Sequence, residues 1–142
     1  YCMYHEVYAR DCTSTWNILE KLDAEKMDIL EALKLPKLSY VDAAKFRNTL
    51  DDDMDAKESF MVYAEMPTRA KGPTAVDSRY ITEDVSQGLV MLEALGHYLH
   101  VATPVCTALI EIANAALKRD MRRGGRTLDQ LGMDNIRKIV NN

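Results

Sequence analysis

A chain of 142 residues with 47% hydrophobic and 28% charged side chains, six Gly and four Pro has the balance of one globular domain with a real core, which excludes a disordered or collagen-like chain. A formal net charge of −4 gives no overall electrostatic footprint for nucleic acid or an anionic membrane, and no stretch approaches the roughly 18 apolar residues of a membrane span. Cys2, Cys12 and Cys106 show no CxxC spacing and the first residues lack a secretory signal, so the expectation is a cytoplasmic protein with no nucleic-acid or membrane partner.

Residues 1–11, which include Tyr1, Tyr4 and Tyr8, follow neither a strand nor a helix period. The chain opens on Tyr1 rather than Met, and the expectation is a piece of a longer protein. Thr13 or Ser14 then caps a helix in which Ile18, Leu22, Ile29 and Leu33 recur at spacings of four, seven and four. Leu19 and Leu30 widen that stripe, Glu20, Lys21, Asp23, Glu25 and Lys26 lie opposite, and Pro36 ends the helix. A Ser39 cap predicts a second short helix through Val41, Ala44 and Phe46, and a third covers residues 56–63 after the acidic turn Asp51, Asp52 and Asp53. Residues 66–78, with Pro67, Gly72 and Pro73, read as a loop.

Beyond that loop, Thr82 is the expected cap of a helix with Glu83 and Asp84 in its first turn and Val85, Leu89, Leu92, Gly96 and Leu99 along one face. Glycine inside a helix costs about 1 kcal/mol against alanine, so Gly96 predicts a close helix crossing. Thr103 followed by Pro104 opens the next helix, with Val105, Ala108, Leu109, Ile112 and Ala116 on one side. Gly124 and Gly125 stop the chain, Thr127 starts a short turn, and Asp134 caps a last helix. No strand alternation follows residue 11, so the fold class is all-α.

Several constellations carry little chemistry. Asp51, Asp53 and Asp55 have the opening spacing of a calcium loop, but Ala56 and Val62 stand where Gly and Glu are needed. His97 and His100 lack the further ligands of a zinc site, and His5 has no partner spacing. The basic segment Lys118, Arg119, Arg122, Arg123 and Arg126 complements a helix C-terminus, with a phosphate site as the alternative. Gly124-Gly125 forms neither a GxGxxG nor a P-loop, so no dinucleotide fingerprint is present. Arg79, at the end of the loop, has the planar fork that grips a carboxylate with two hydrogen bonds, unless it pairs with Asp77 or Glu83. Asp84 is either part of that site or a first-turn acid facing the helix dipole.

The run GPTAVDSRYITEDVSQGLVMLEALG at residues 72–96, Ala102-Thr103-Pro104 and the GRTLDQLG at residues 125–132 resemble the C-terminal helical domain of the octopine/nopaline (opine) dehydrogenase family. Leu22 to Lys26 and the aromatic stretch Tyr1 to Tyr8 look like that domain's opening region, so the resemblance spans nearly all of residues 1–142. It implies a bundle-like substrate and dimerisation domain of the 6-phosphogluconate dehydrogenase C-terminal type. Such enzymes use NADH or NADPH to condense the amino group of an amino acid reductively with the carbonyl of a 2-oxo acid. The resemblance gives Arg79 to a substrate carboxylate, and Asp84, as a catalytic residue, to orienting and charging the catalytic histidine.

In the family that histidine sits in a His-Pro motif, whereas His5 is followed by Glu6. The expectation is therefore that the histidine and an N-terminal Rossmann domain, which binds most of the cofactor, precede Tyr1, and that this chain alone is inactive. Self-association as a homodimer is a further expectation. The alternatives are the helical domain of a 6-phosphogluconate, glycerol-3-phosphate or ketopantoate type of dehydrogenase, whose lysine is lacking between Val85 and Leu95, or a non-catalytic helical interaction module.

Overall fold

A computed structural model describes residues 13–48, 53–67 and 75–140, and all regular structure among them is helical, as the all-α expectation requires. The expectations for His5, Cys2, Cys12, Asp51, Asp52, Gly72 and Pro73 lie outside the described residues. The elements are α1 (Thr13–Ala32), α2 (Tyr40–Asn48), α3 (Ala56–Glu65), α4 (Arg79–Thr82), a π-helical segment (Asp84–Leu89), α5 (Val90–Leu99), α6 (Pro104–Leu117), α7 (Leu128–Leu131) and α8 (Met133–Val140). Among the described residues no helix is long and apolar enough to cross a membrane. The chain divides into two compact units, Tyr1–Asp23 with Leu38–Pro73, and Ala24–Lys37 with Thr74–Asn142.

In the first unit the core is Trp16, Ala44, Phe60, Met61 and Ala64, flanked by Leu19 and Val41. The Trp16 and Phe60 rings meet edge to face, with centroids 5.5 Å apart at 87°. That fit decides which side of α1 is buried, so Ile18, expected in the stripe, is half exposed and Trp16 takes its place. Both flanking helices are capped by short polar side chains. Ser39 Oγ accepts the Asp42 N–H at 3.1 Å, as expected, and the Asp55 carboxylate accepts the Glu58 N–H at 2.9 Å.

The second unit is built around two buried carboxylates. Glu25, expected on the polar face of α1, is instead 1% exposed and lines up with buried Ile29 and Leu33 at four-residue spacing. Its two oxygens accept the N–H groups of Val105 at 2.8 Å and Cys106 at 2.9 Å. These are orphan donors of the first turn of α6, behind Pro104, so the carboxylate supplies the cap for that helix. Thr103, the expected cap, precedes Pro104 as predicted but makes no side-chain capping bond, because Glu25 already occupies the donors. No cation pairs with Glu25 among the described residues; the helix N-terminus balances its charge.

The second carboxylate belongs to Glu93 on α5. Arg122 grips it with two bonds, Nε to Oε2 at 2.6 Å and Nη2 to Oε1 at 2.8 Å, while its Nη1 reaches Glu111 at 2.6 Å. Thr107 Oγ1 donates to the same Glu93 Oε1 at 2.7 Å. The basic segment was expected to complement a helix end; Arg122 instead ties α5 to α6 through a partly desolvated clamp. The Arg122 guanidinium holds the Glu93 carboxyl below its ordinary range, overcoming the opposing effect of burial. Cys106, fully buried with Sγ 3.2 Å from the Leu89 carbonyl, has its thiol pushed up to about 11, first by burial and then by the carboxylates of Glu93 and Glu25. It stays protonated at neutral pH.

Gly96 does serve a close approach, but not to a crossing helix. A Cβ there would stand 2.8 Å from Thr103 Cγ2 and 2.8 Å from the Val101 carbonyl oxygen. The tight turn out of α5, with His100 in the left-handed region at φ 58° and the Val101 N–H bonded back to the Gly96 carbonyl at 2.9 Å, explains the glycine. α1 ends in the same manner, with Lys34 at φ 56° and the Leu35 N–H returning to the Leu30 carbonyl at 2.9 Å.

Two stability measurements follow. Glu25→Ala leaves two helix N–H groups without a partner and is expected to cost about 3 kcal/mol in urea unfolding, and Glu25→Gln, which keeps one acceptor oxygen, about half of that; an unchanged midpoint for Glu25→Ala contradicts the capping role. The Glu93 carboxyl is depressed in the folded state, so the stability it contributes is complete above the unfolded value of about 4.3 and is lost as pH falls through the lower folded value. The gap in unfolding midpoint between the parent and Glu93→Gln should therefore be full at neutral pH and shrink in acid; an equal gap throughout contradicts the clamp.

Candidate active site

The helix that carries the expected site begins one turn earlier than Thr82. Ser78 is its extended cap residue, the N–H groups of Ile81 and Thr82 both reach the Ser78 carbonyl at 3.0 Å, and Arg79 is the first residue of α4. Thr82 is thus inside the run, its hydroxyl donating to the Ser78 carbonyl at 3.2 Å, and cannot cap. The Arg79 side chain is exposed, with its guanidinium carbon 5.6 Å from the Tyr80 ring centroid. Among the described residues no carboxylate is in ion-pair contact with it, so the pairing with Asp77 or Glu83 that would explain it structurally is not made.

Between α4 and α5 the helix widens. In a regular α-helix the Val90 N–H would donate to the Ser86 carbonyl; here it donates to Val85, one residue further back. The Ser86 carbonyl so released accepts the backbone N–H of Arg126 at 3.0 Å. That loop comes close because residue 125 is glycine. A Cβ on Gly125 would lie 2.7 Å from the Ser86 oxygen, 2.8 Å from the Met121 oxygen and 2.8 Å from Val90 Cγ1. Ser86 Oγ donates to the Thr82 carbonyl at 2.5 Å, and the Gln87 N–H to the Glu83 carbonyl at 2.7 Å.

Asp84 opens this π-helical segment. Together with Glu83, Gln87, Gly88 and Arg126 it lines an open polar cavity of about 520 Å³. Val85 and Leu89 of the same segment line a separate, apolar cavity of about 320 Å³ with Ile81, Leu109 and Ala113. Asp84 is exposed to its cavity, where it can accept a hydrogen bond from an incoming group, and Arg79 lies five residues earlier on the same helical run. Sequence reasoning gave no role to Gln87 or Gly88, which lie inside the run at residues 72–96, and gave Arg126 only as one of five basic residues complementing a helix end or a phosphate, and as the second residue of the GRTLDQLG stretch.

The described residues do not fit a dinucleotide. They hold no strand from which a glycine turn could enter a helix. The Gly125 and Arg126 N–H groups are already bound to the Arg122 and Ser86 carbonyls at 3.2 and 3.0 Å. Likewise, among the described residues no group of three or more His, Cys, Asp or Glu side chains is placed to hold a metal ion.

Residues 1–117 match the family described as NAD/NADP octopine/nopaline dehydrogenase, alpha-helical domain. The chain is 30% identical over 125 residues to an opine dehydrogenase of an Arthrobacter species, covering 87% of this chain and 34% of that protein. It is 27% identical over 117 residues to a vitopine synthase of Allorhizobium ampelinum, covering 81% and 31%, and 26% identical over 114 residues to the protein ocs of Agrobacterium vitis, covering 79% and 31%. The chain spans about a third of the length of these curated relatives. It belongs to the NAD/NADP octopine/nopaline dehydrogenase family, as the alpha-helical domain.

Proposed function

We propose that residues 1–142 are the C-terminal substrate domain of an opine dehydrogenase, which joins the amino group of an amino acid to the carbonyl of a 2-oxo acid by NAD(P)H-dependent reduction. The observation that carries this reading is the placement of Asp84 on the rim of a polar cavity, on a helical run that begins with an arginine free of any described carboxylate. The names of the relatives, opine dehydrogenase and vitopine synthase, support it. The nicotinamide cofactor, which supplies the reducing equivalent when bound, is held by the remainder of the protein, as is the histidine that Asp84 serves. Self-association through the helical domain and a cytoplasmic location complete the proposal.

The roles of the two residues follow from their chemistry. The Arg79 guanidinium offers two parallel N–H donors to the carboxylate of the 2-oxo acid and so fixes the carbonyl beside it. Asp84 accepts the ring N–H of the histidine, which sets the tautomer with a free nitrogen facing the substrate and stabilises the imidazolium when that nitrogen takes a proton. Neither residue moves electrons; they position and balance charge.

In the full coding frame's product, cofactor oxidation should require an amino acid and a 2-oxo acid together, and turnover with either acid alone contradicts the proposal. Arg79→Ala should lose about 2 kcal/mol of transition-state binding, or roughly 30-fold in kcat/KM. Asp84→Asn should act mainly on kcat, by up to about four orders of magnitude, since an amide cannot hold the same tautomer. A variant that loses thermal stability but keeps its turnover marks Asp84 as a helix-dipole residue only.

A further inference from the structure

The product of the proposed reaction is a secondary amine carrying two carboxylates, and Arg79 answers one of them. The following step rests on that reading of the site. Of the basic segment, Arg122 is consumed by Glu93 and Glu111, whereas Arg126 has no carboxylate in ion-pair contact among the described residues. Arg126 is exposed and is one of the residues that line the cavity that Asp84 also lines. Its backbone is fixed twice over: its own N–H is bound to the Ser86 carbonyl at 3.0 Å, and Gly125 before it is packed where no Cβ fits. The backbone that carries this cation is thereby fixed beside the π-helical segment, and among the described residues no carboxylate is in ion-pair contact with it.

The remaining charges around the cavity are Glu83 and Asp84, both negative. A 2-oxo acid, which carries only negative charge, is poorly matched to two acids and one arginine. An amino acid is well matched, since its ammonium group faces the carboxylates while its carboxylate takes the guanidinium. A volume of about 520 Å³ lies within the range of small-ligand sites. We infer that Arg126 binds the carboxylate of the amino-acid substrate, so that Arg79 and Arg126 divide the two carboxylates of the product between them.

The test is steady-state kinetics on the full coding frame's product, varying the amino acid, the 2-oxo acid and the cofactor separately, for the parent, Arg126→Gln, Arg126→Lys and Arg79→Ala. Replacing the Arg126 side chain leaves its backbone N–H on Ser86, so the variants should unfold at the parent's midpoint. Arg126→Gln should raise KM for the amino acid about tenfold or more, Arg126→Lys less, with KM for the 2-oxo acid and the cofactor changed by less than about threefold. Arg79→Ala should show the opposite pattern. Amino-acid amides, which lack the carboxylate, should discriminate poorly between the parent and Arg126→Gln. An unchanged KM for the amino acid, or a rise confined to the 2-oxo acid or to NADPH, overturns the inference while leaving the dehydrogenase reading intact. A parent protein without turnover on any pair of substrates overturns both.

Discussion

The candidate site depends on a slip of one residue in a helical hydrogen-bond ladder. Val90 bonds to Val85 rather than to Ser86, and the Ser86 carbonyl is left for a partner from another part of the chain. A buried carbonyl without an acceptor bond is costly, so the widened turn persists only if something donates to it. Arg126 does so through its backbone, and only a glycine at residue 125 lets the loop come near enough. The residues that flank the slip then divide. Asp84, Gln87 and Gly88 border a polar cavity, while Val85 and Leu89 border an apolar one. Widened turns of this type cost regular helical hydrogen bonding and occur often at functional sites, which accords with their occurrence beside Asp84.

The frame around that turn is held by charges taken out of water and matched one by one. Glu25 meets the N-terminus of α6, and Glu93 meets Arg122, with Thr107 on the same oxygen. Each arrangement satisfies groups that would otherwise be buried at a cost, and each joins elements distant in sequence. Arg122 also leads directly into the loop that carries Gly125 and Arg126, so the clamp on Glu93 and the strap on Ser86 are parts of one short segment. A positioning arginine gains precision from such support, because its guanidinium is carried on a backbone that is already fixed.

Features written in local periodicity were legible in the sequence. The helices, the Ser39 cap and Pro104 at the first position of α6 follow from spacing and residue type. Features created by tertiary contact were not. Glu25 reads as one more polar residue on an exposed face, because its partners lie about eighty residues away. Trp16 displaces Ile18 for the sake of a contact with Phe60 that no local pattern records. Arg122 is one of five basic residues with nothing in its neighbourhood to single it out. Arg79 and Asp84 were named from residue chemistry and family resemblance, yet the π-helical segment under Asp84 was invisible, since Val85, Leu89 and Leu92 satisfy an ordinary helical stripe equally well.

Amide hydrogen exchange at Arg126 tests this dependence most directly. Arg126 lies outside any regular helix and its side chain is exposed, so nothing but the bond to the Ser86 carbonyl should slow its N–H. Protection comparable to that of the α5 amides, lost together with them on mild destabilisation, is the predicted result. Exchange at the rate of an open loop, with α5 still protected, would contradict it, because the widened turn would then be standing without the strap that is said to hold it.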